Sequence, residues 1–573
     1  MPNYFTENRD LVNQFNKLEL RKVVEILEHG YTQAREYDFA PKSYEEALEI
    51  YKGSLELVGD ISGNFIAPRA EAVDAEGARL ENGTVHYAKG TRENLDKLSE
   101  AGLMGVIIPR CYGGANFPAT IYMMMIEMVS RADASLMTLF GYQDVGETIA
   151  RLGTKEQGEE FLLNYTSGEW TGATCLTEPG AGSDLQSVKL EAYQDDTGQW
   201  RLRGLKHFIS NGNGEVLVVL ARSEPGTKNM FGLSLFACHG TDERVRVNRI
   251  EHKMGLHGSP TCEIIFDDAP AQLLGRRRFG LFNVLYILNH ARFSVAAQAI
   301  GIAEAAYGEA LQWSKDRVQF GRALYTMPPI ANTLIEMRVA IEASRSLLYG
   351  SVQWLDRRNK IEEEIAELKA AGKPHEEQKA EFDRAARYTD LLSPLVKYVV
   401  TEAANKVVYD AVQLHGGMGY MREMEVERLT RDVRITSIYE GATSVQVVGA
   451  IKHVMADVLG ELFDRMEAAG YPADLSSSLK ELTELRNLFR DCVTVVENEA
   501  NAASREAAAK ELTDMYAALY TGFLLLDEAR TNDRKKIIAR RYITGALAAS
   551  QAGATRVHRS HFNDLEHTDS VCN

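Results

Sequence analysis

TCLTEPGAGSD, residues 174–184, is the stretch on which the fold turns. Before it, SYEEALEIYKGSLELVGDI and ENLDKLSEAGL place apolar residues at helical intervals. After it come WRLRGLKHFISNG, EVLVVLAR, GLSLFAC and CEIIFDDA, short β-rich runs parted by Gly, Asn, Asp and Ser turns. The period-3.6 pattern returns at Phe282 and runs almost to the end. This order predicts an α+β chain: a helical domain over 1–173, a small antiparallel β domain over 174–275, a helical bundle over 276–452, and a helical extension over 453–573. Within the bundle, 356–387 is highly charged and reads as a solvated helical insertion.

At 573 residues the chain exceeds a single hydrophobic core. A formal net charge of −17 with no clustered basic face argues against a nucleic-acid partner. It leaves room for an anionic ligand held by a few Arg side chains and backbone N–H groups. The six cysteines show no CxxC spacing, so neither a zinc site nor a disulfide framework is expected, and no metal. Cys175 by itself reads as a buried thiol. MPNYFTENRDLVNQF lacks the marks of a signal or transit peptide, and no run of 18 apolar residues spans a membrane. The expected compartment is the cytoplasm.

Four segments carry candidate chemistry. In 174–184 the glycines let backbone approach a flat or phosphorylated ligand, while Thr177 and Ser183 supply hydroxyl and N–H donors. By physics alone this is equally an ordinary turn, and no GxGxxG or βαβ unit marks it as a dinucleotide fingerprint. KHFISNG, 206–212, ends a strand with Phe208 and Ser210, an aromatic and a hydroxyl suited to a ring cofactor or, taken singly, to a core and a turn. RVQFGR, 317–322, offers Arg317, whose planar fork matches a pyrophosphate or, taken singly, is an exposed side chain in a solvated turn. QLHGGMGYMREMEVERLTRDVRITSIYEGATSVQ, 413–446, places a double-glycine turn, a charged helix and Glu440 in one run. An apolar turn around Glu440 would raise its pKa and strengthen it as a base, whereas a lone Glu before Gly is usually a helix-terminal carboxylate.

In this order and on this layout, TEPGAGSD, RVQFG, QLHGGMGY and IYEGATSVQ resemble the landmark stretches of the acyl-CoA dehydrogenase family, over about 80–452. The resemblance implies a C-terminal four-helix bundle, FAD, an acyl-CoA substrate, and an electron-transfer flavoprotein as acceptor. It places Leu176, Thr177, Gly182 and Ser183 along the flavin, Ser183 also touching the CoA arm, with Phe208 flanking the ring and Ser210 bonding near its reactive edge. Arg317, Phe320, Gln413 and Gly417 would hold the FAD diphosphate and adenosine. Asn289 and Arg292 stand where the family contacts CoA, with Gly441 beside the substrate, and Glu440 falls on the catalytic glutamate. There are departures. Thr443 stands for the family's hydroxyl contact to FAD, but Ala442 separates it from the Glu-Gly pair, and MPPI (327–330) replaces a Gln expected after RVQFG. Position 291, where some relatives carry the base, is Ala291.

The implied reaction is α,β-dehydrogenation to the 2-enoyl-CoA. Ile126 stands where glutaryl-type members have an Arg, which argues against a dicarboxylic acyl group. Gln143, Asp144 and Glu147 are either a polar pocket floor or ordinary helix polarity. Length and extension resemble the long branch of the family, for which a homodimer is the first expectation and a tetramer the second. Two rivals are an acyl-CoA oxidase and a non-catalytic assembly protein.

Overall fold

EVLVVLAR is a near-continuous apolar run because both faces of its strand are covered. The computed structural model describes residues 2–559, 564–565 and 567–573. In it, β1 (Gly172–Cys175), β2 (Glu191–Gln194), β3 (Trp200–Ser210), β4 (Val216–Arg222), β5 (Leu233–His239), β6 (Val245–Ile250) and β7 (Thr261–Leu274) form one sheet. Its order is β1-β4-β2-β3-β7-β5, with β6 on β7, and a β4–β5 pairing closes it. Leu217, Val219 and Ala221 face the interior with Cys175, Phe236, Cys238, Cys262 and Phe266. Val216, Val218 and Leu220 face helices and pack on Val145, Ile149 and Phe161. The sheet is antiparallel except at β4, which runs parallel to β1 and meets β2 in a parallel bridge. The loop after β1 and the β2–β3 hairpin intervene in the chain, so β4 returns in the direction of β1. Cys175 is fully buried, and burial pushes its thiol pKa far up.

Two compact units result. One contains Glu19–Ala305 and Met421–Thr436, together with the residues before Asn16. In it ATIYMMMIEMVSRA, rich in methionine, forms α1 (Ala119–Ala132), in which every residue except Arg131 is buried. Its apolar residues face all ways because it is a central core helix. α2 (Gln143–Leu152) covers the sheet.

The long α3 (Gly280–Asp316) begins in this unit and ends in the other. The second unit holds α4 (Pro328–Ala370) and α5 (Glu376–His415), an antiparallel pair whose tip carries the charged insertion. Ile361, Ile365 and Ala385 are buried at the base of that tip while most residues between them stay partly or fully solvated. α6 (Glu425–Arg434), within 413–446, belongs to the first unit. There Arg431 bonds Asp74 at 2.6 Å, and Asp432 accepts the Leu256 N–H at 2.7 Å. The extension forms α8 (Ser476–Asn498), α9 (Ala502–Glu528) and α10 (Asp533–His558), after α7 (Thr443–Met455). Among the described residues no helix is long and apolar enough to cross a membrane.

The extension is tied to α4 by charge as well as by apolar packing. Lys535, 1% exposed, lies 3.0 Å from Glu342 and 2.9 Å from Glu528, both themselves buried. The Ser346 hydroxyl donates to Glu528 at 2.8 Å. Removing the ammonium breaks the buried pair with Glu528, while Glu342 keeps Arg534 at 2.9 Å, and breaking a buried ion pair typically costs about 3–5 kcal/mol. Lys535→Met should therefore lower the unfolding free energy by about that amount and expose 453–573 to proteolysis, measured by urea titration and limited digestion.

Asp432, on α6, makes the stability of the fold depend on pH. Burial, opposed by Arg428, pushes its carboxyl up to about 6. The folded chain thus holds this proton where the unfolded chain, near 3.8, has lost it, so stability falls as pH rises from about 4 to about 6. Asp432→Asn removes that dependence. The stability of wild type relative to this variant should drop by about 2 kcal/mol between pH 4 and pH 7, read from urea midpoints.

Candidate active site

β3 carries a lysine at an inward-facing position, and that ammonium organises the glycine-rich loop. Lys206 is fully buried; its Nζ donates to the Leu176 carbonyl at 2.8 Å and to Glu178 Oε1 at 2.9 Å. The same carboxylate accepts the backbone N–H groups of Lys189 at 2.7 Å and Leu190 at 3.0 Å, closing both ends of the loop. Burial pushes the Lys206 ammonium below its usual pKa, and Glu178 opposes the shift. The His207 N–H then donates to the Thr177 carbonyl at 2.9 Å.

A register break between Lys206 and Ile209 throws Phe208 outward at φ +58°, 60% exposed. Its ring meets the His207 imidazole edge-on at 3.8 Å. Leu176 is buried, Thr177 and Ser210 half-buried, Gly182 and Ser183 exposed. A Cβ built on Gly180 or Gly182 would meet nothing within 4 Å, so the loop presents open backbone beside an exposed aromatic. That surface suits a flat cofactor. Asn289 is buried and lies 3.4 Å from Arg292 along α3.

His207 with Glu251 and Glu263 is the one group of side chains among the described residues whose ligand atoms lie close enough for a cation. Its ring nitrogens face different carboxylates, Nδ1 at 3.2 Å from Glu263 and Nε2 at 3.4 Å from Glu251. Arg249 already lies against both, at 3.0 Å and 3.5 Å.

The second unit holds the other candidate residues. Val318–Gln319 and Arg322–Ala323 pair as a hairpin whose turn, Phe320-Gly321, has φ of +52° and +76°. Two left-handed residues in a two-residue turn match the twist of the strands. Arg317 is exposed, and Phe320 is 94% exposed. Trp313 stacks on His415 at 5.0 Å, joining the end of α3 to the end of α5, where Gln413 and Gly417 are exposed. Open backbone at Gly417 and an exposed guanidinium at Arg317 are what a diphosphate requires.

Glu440, half-buried, adopts φ +55°, and Gly441 follows at +98°. A left-handed non-glycine residue costs about 1–2 kcal/mol, so it must be held. Gln446, 1% exposed, donates to the Glu440 carbonyl at 3.0 Å and to the Gly441 carbonyl at 2.8 Å; buried Lys397 donates to the latter at 2.7 Å. Thr443 directs its hydroxyl to the Glu402 carboxylate. Neither Gln446 nor Lys397 was singled out from sequence, although Gln446 ends the quoted run.

Three domains of one family match the chain: the acyl-CoA dehydrogenase N-terminal domain at 55–169, its middle domain at 173–269, and its C-terminal domain at 279–382 and 375–455. The chain belongs to the acyl-CoA dehydrogenase family. It is an oxidoreductase acting on acyl-CoA, and FAD is the family's cofactor. The chain is 34% identical to 3-methylmercaptopropionyl-CoA dehydrogenase of Ruegeria pomeroyi, over 70% of this chain and 71% of that one. It is 31% identical to the Caffeyl-CoA reductase-Etf complex subunit CarC of Acetobacterium woodii, over 62% and 87%. The structure of butyryl-CoA dehydrogenase from Megasphaera elsdenii aligns with TM-score 0.60 and 30% identity, covering 70% of this chain and 97% of that one.

The Gln446 clamp yields a test. Gln446→Ala removes both of its hydrogen bonds to the Glu440 turn and leaves the Gly441 carbonyl to Lys397 alone, at about 1 kcal/mol of net stability per hydrogen bond lost. If the turn at 440–441 positions a reacting group, the rate of flavin bleaching by acyl-CoA should fall at least about tenfold, with flavin content unchanged.

Proposed function

We propose that this acyl-CoA dehydrogenase introduces the α,β double bond of its thioester with Glu440 as the α-proton base. The observation that carries the reading is the strained, doubly clamped turn at 440–441, since left-handed non-glycine residues concentrate where geometry serves function. Bound FAD supplies the acceptor for the hydride that leaves the β-carbon. An unactivated α C–H is too weak an acid for a carboxylate, so the thioester oxygen needs donors. The Glu440 backbone N–H is assigned that task, worth about 3 kcal/mol for a preorganised donor. Gly441 packs beside the substrate, with Ser183, Asn289 and Arg292 along the CoA arm. Leu176, Thr177, Gly182, Phe208 and Ser210 bear on the flavin ring; Arg317, Phe320, Gln413 and Gly417 bear on its diphosphate and adenosine. Thr443 joins them if its hydroxyl exchanges Glu402 for the cofactor.

The acyl group proposed is monocarboxylic, because the place considered for a distal cation holds Ile126, fully buried among apolar residues. Gln143 is not part of a pocket floor in this reading: its side chain bonds the Val106 N–H and the Leu103 carbonyl, fixing a loop. Glu147, with Tyr286 at 3.2 Å and His290 at 3.2 Å, remains as the polar group of α2 and α3. An electron-transfer flavoprotein is the proposed acceptor, supported by the relative named as a subunit of an Etf complex. A homodimer is the proposed assembly, supported by the bare apolar surface of Phe320 and Val318. The proposed domain limits are those of the sequence reading.

Glu440→Gln should retain FAD and acyl-CoA affinity and lose at least about 10³-fold in the anaerobic reduction rate, within the range of general-base catalysis. Bleaching near the wild-type rate would overturn the assignment. Rapid hydrogen peroxide release without an added acceptor would point instead to an oxidase.

A further inference from the structure

In a chain of net charge −17, one compact group of cations has no part in the chemistry above. Arg276, Arg277 and Arg278 stand directly before α3 and, with Phe279, form one side of a recess of about 420 Å³. Thr227, Asn229 and Phe231, from the loop between β4 and β5, form the other. Glu224 is the carboxylate that pairs with this group among the described residues, at 2.6 Å from Arg277 and 3.9 Å from Arg278. Three guanidiniums thus share one counter-charge, and all three arginines are exposed. Beside them Phe279 and Phe282 lie 5.5 Å apart and Phe231 and Phe282 6.1 Å apart, with Phe231 half exposed. The Arg276 guanidinium covers the Phe279 ring at 4.4 Å.

We infer that this recess takes the nucleotide end of coenzyme A and discriminates for its 3′-phosphate. The inference rests on the acyl-CoA reading above and adds residues to it. A fork of guanidiniums matches phosphate oxygens, and aromatic faces with stacked guanidinium planes match a purine.

Arg222 ties the recess wall to the segment that follows Ser183. Arg222 donates to the Gln186 carbonyl at 2.6 Å and the Val188 carbonyl at 2.9 Å, just beyond Ser183, and to Thr227 Oγ1 at 3.0 Å on the recess wall. Along α3, Arg292 stands about 18 Å from the first turn, at 1.5 Å per residue. An extended pantetheine arm runs that far.

The test is calorimetric binding of coenzyme A and of 3′-dephospho-coenzyme A to the FAD-loaded protein. Wild type should bind coenzyme A about tenfold or more tightly, the contribution of one hydrogen bond between charged groups. R276A/R278A, which leaves the Arg277–Glu224 pair in place, should bind the two alike and keep its flavin. Equal wild-type affinities, or a preference that survives R276A/R278A, overturn the inference. So does a variant that keeps the preference but loses electron transfer to its acceptor, which would make the patch a docking face for an acidic protein. Bleaching by an acyl-CoA panel tests the parent reading separately: a protein that bleaches but ignores the 3′-phosphate fails only here.

Discussion

The ammonium of Lys206 has no water to solvate it, and the loop from Leu176 to Leu190 is arranged around that fact. An isolated buried cation is costly, so it must gather oxygens, and it finds them in the Leu176 carbonyl and the Glu178 carboxylate. Glu178 in turn accepts the two N–H groups at Lys189 and Leu190, so one carboxylate binds the strand lysine and the far end of the loop. The glycines between are then free to present backbone outward, because their conformation is set from beneath. The same strand leaves its ladder one residue later, which turns Phe208 to the surface. An apolar pair of equal volume would pack as well, yet it would give the loop no reason to adopt one register.

Strain recurs where the sequence motifs fall. Phe208, Phe320 and Glu440 all occupy left-handed backbone that L-residues avoid. Each is held by a different means: a strand bulge, a two-residue hairpin turn, and side-chain donors on two carbonyls. Glycine would relieve the strain at each position and remove the aromatic or carboxylate presented there. The fold tolerates the strain because the surrounding hydrogen bonds exceed it.

Much of this was legible from residue order alone. The unbroken apolar run at 216–221 inside EVLVVLAR marks a strand covered on both faces, and 3.6-residue spacing marks the helices around it. The motifs located Phe208, Phe320 and Glu440 without revealing their backbone strain, because left-handed geometry leaves no compositional trace at non-glycine residues. Lys206 could have been noticed, being a charge at the inward parity of an apolar strand. The Arg276–Arg278 group was obscured by averaging, since a net charge of −17 says nothing about local clustering. The parallel β1–β4 pair depends on where the chain returns after 176–210, a tertiary choice that no strand-by-strand pattern encodes.

The extension follows the same logic at greater sequence distance. Glu342 and Lys535 lie in different helices of one unit, and neither is remarkable in sequence, since Glu and Lys are ordinary helix formers. Their burial becomes explicable once Glu528 and Ser346 are brought beside them. Apolar packing alone would let α9 and α10 slide along α4 by a turn at little penalty, as one ridge of small and branched side chains resembles the next. A buried ammonium between two carboxylates permits one register, because any shift strands a charge. The pair that orders the loop beneath Phe208 and the triad that seats the extension are therefore one device, in which the penalty for misplacing a charge selects a geometry that hydrophobic contact would leave degenerate.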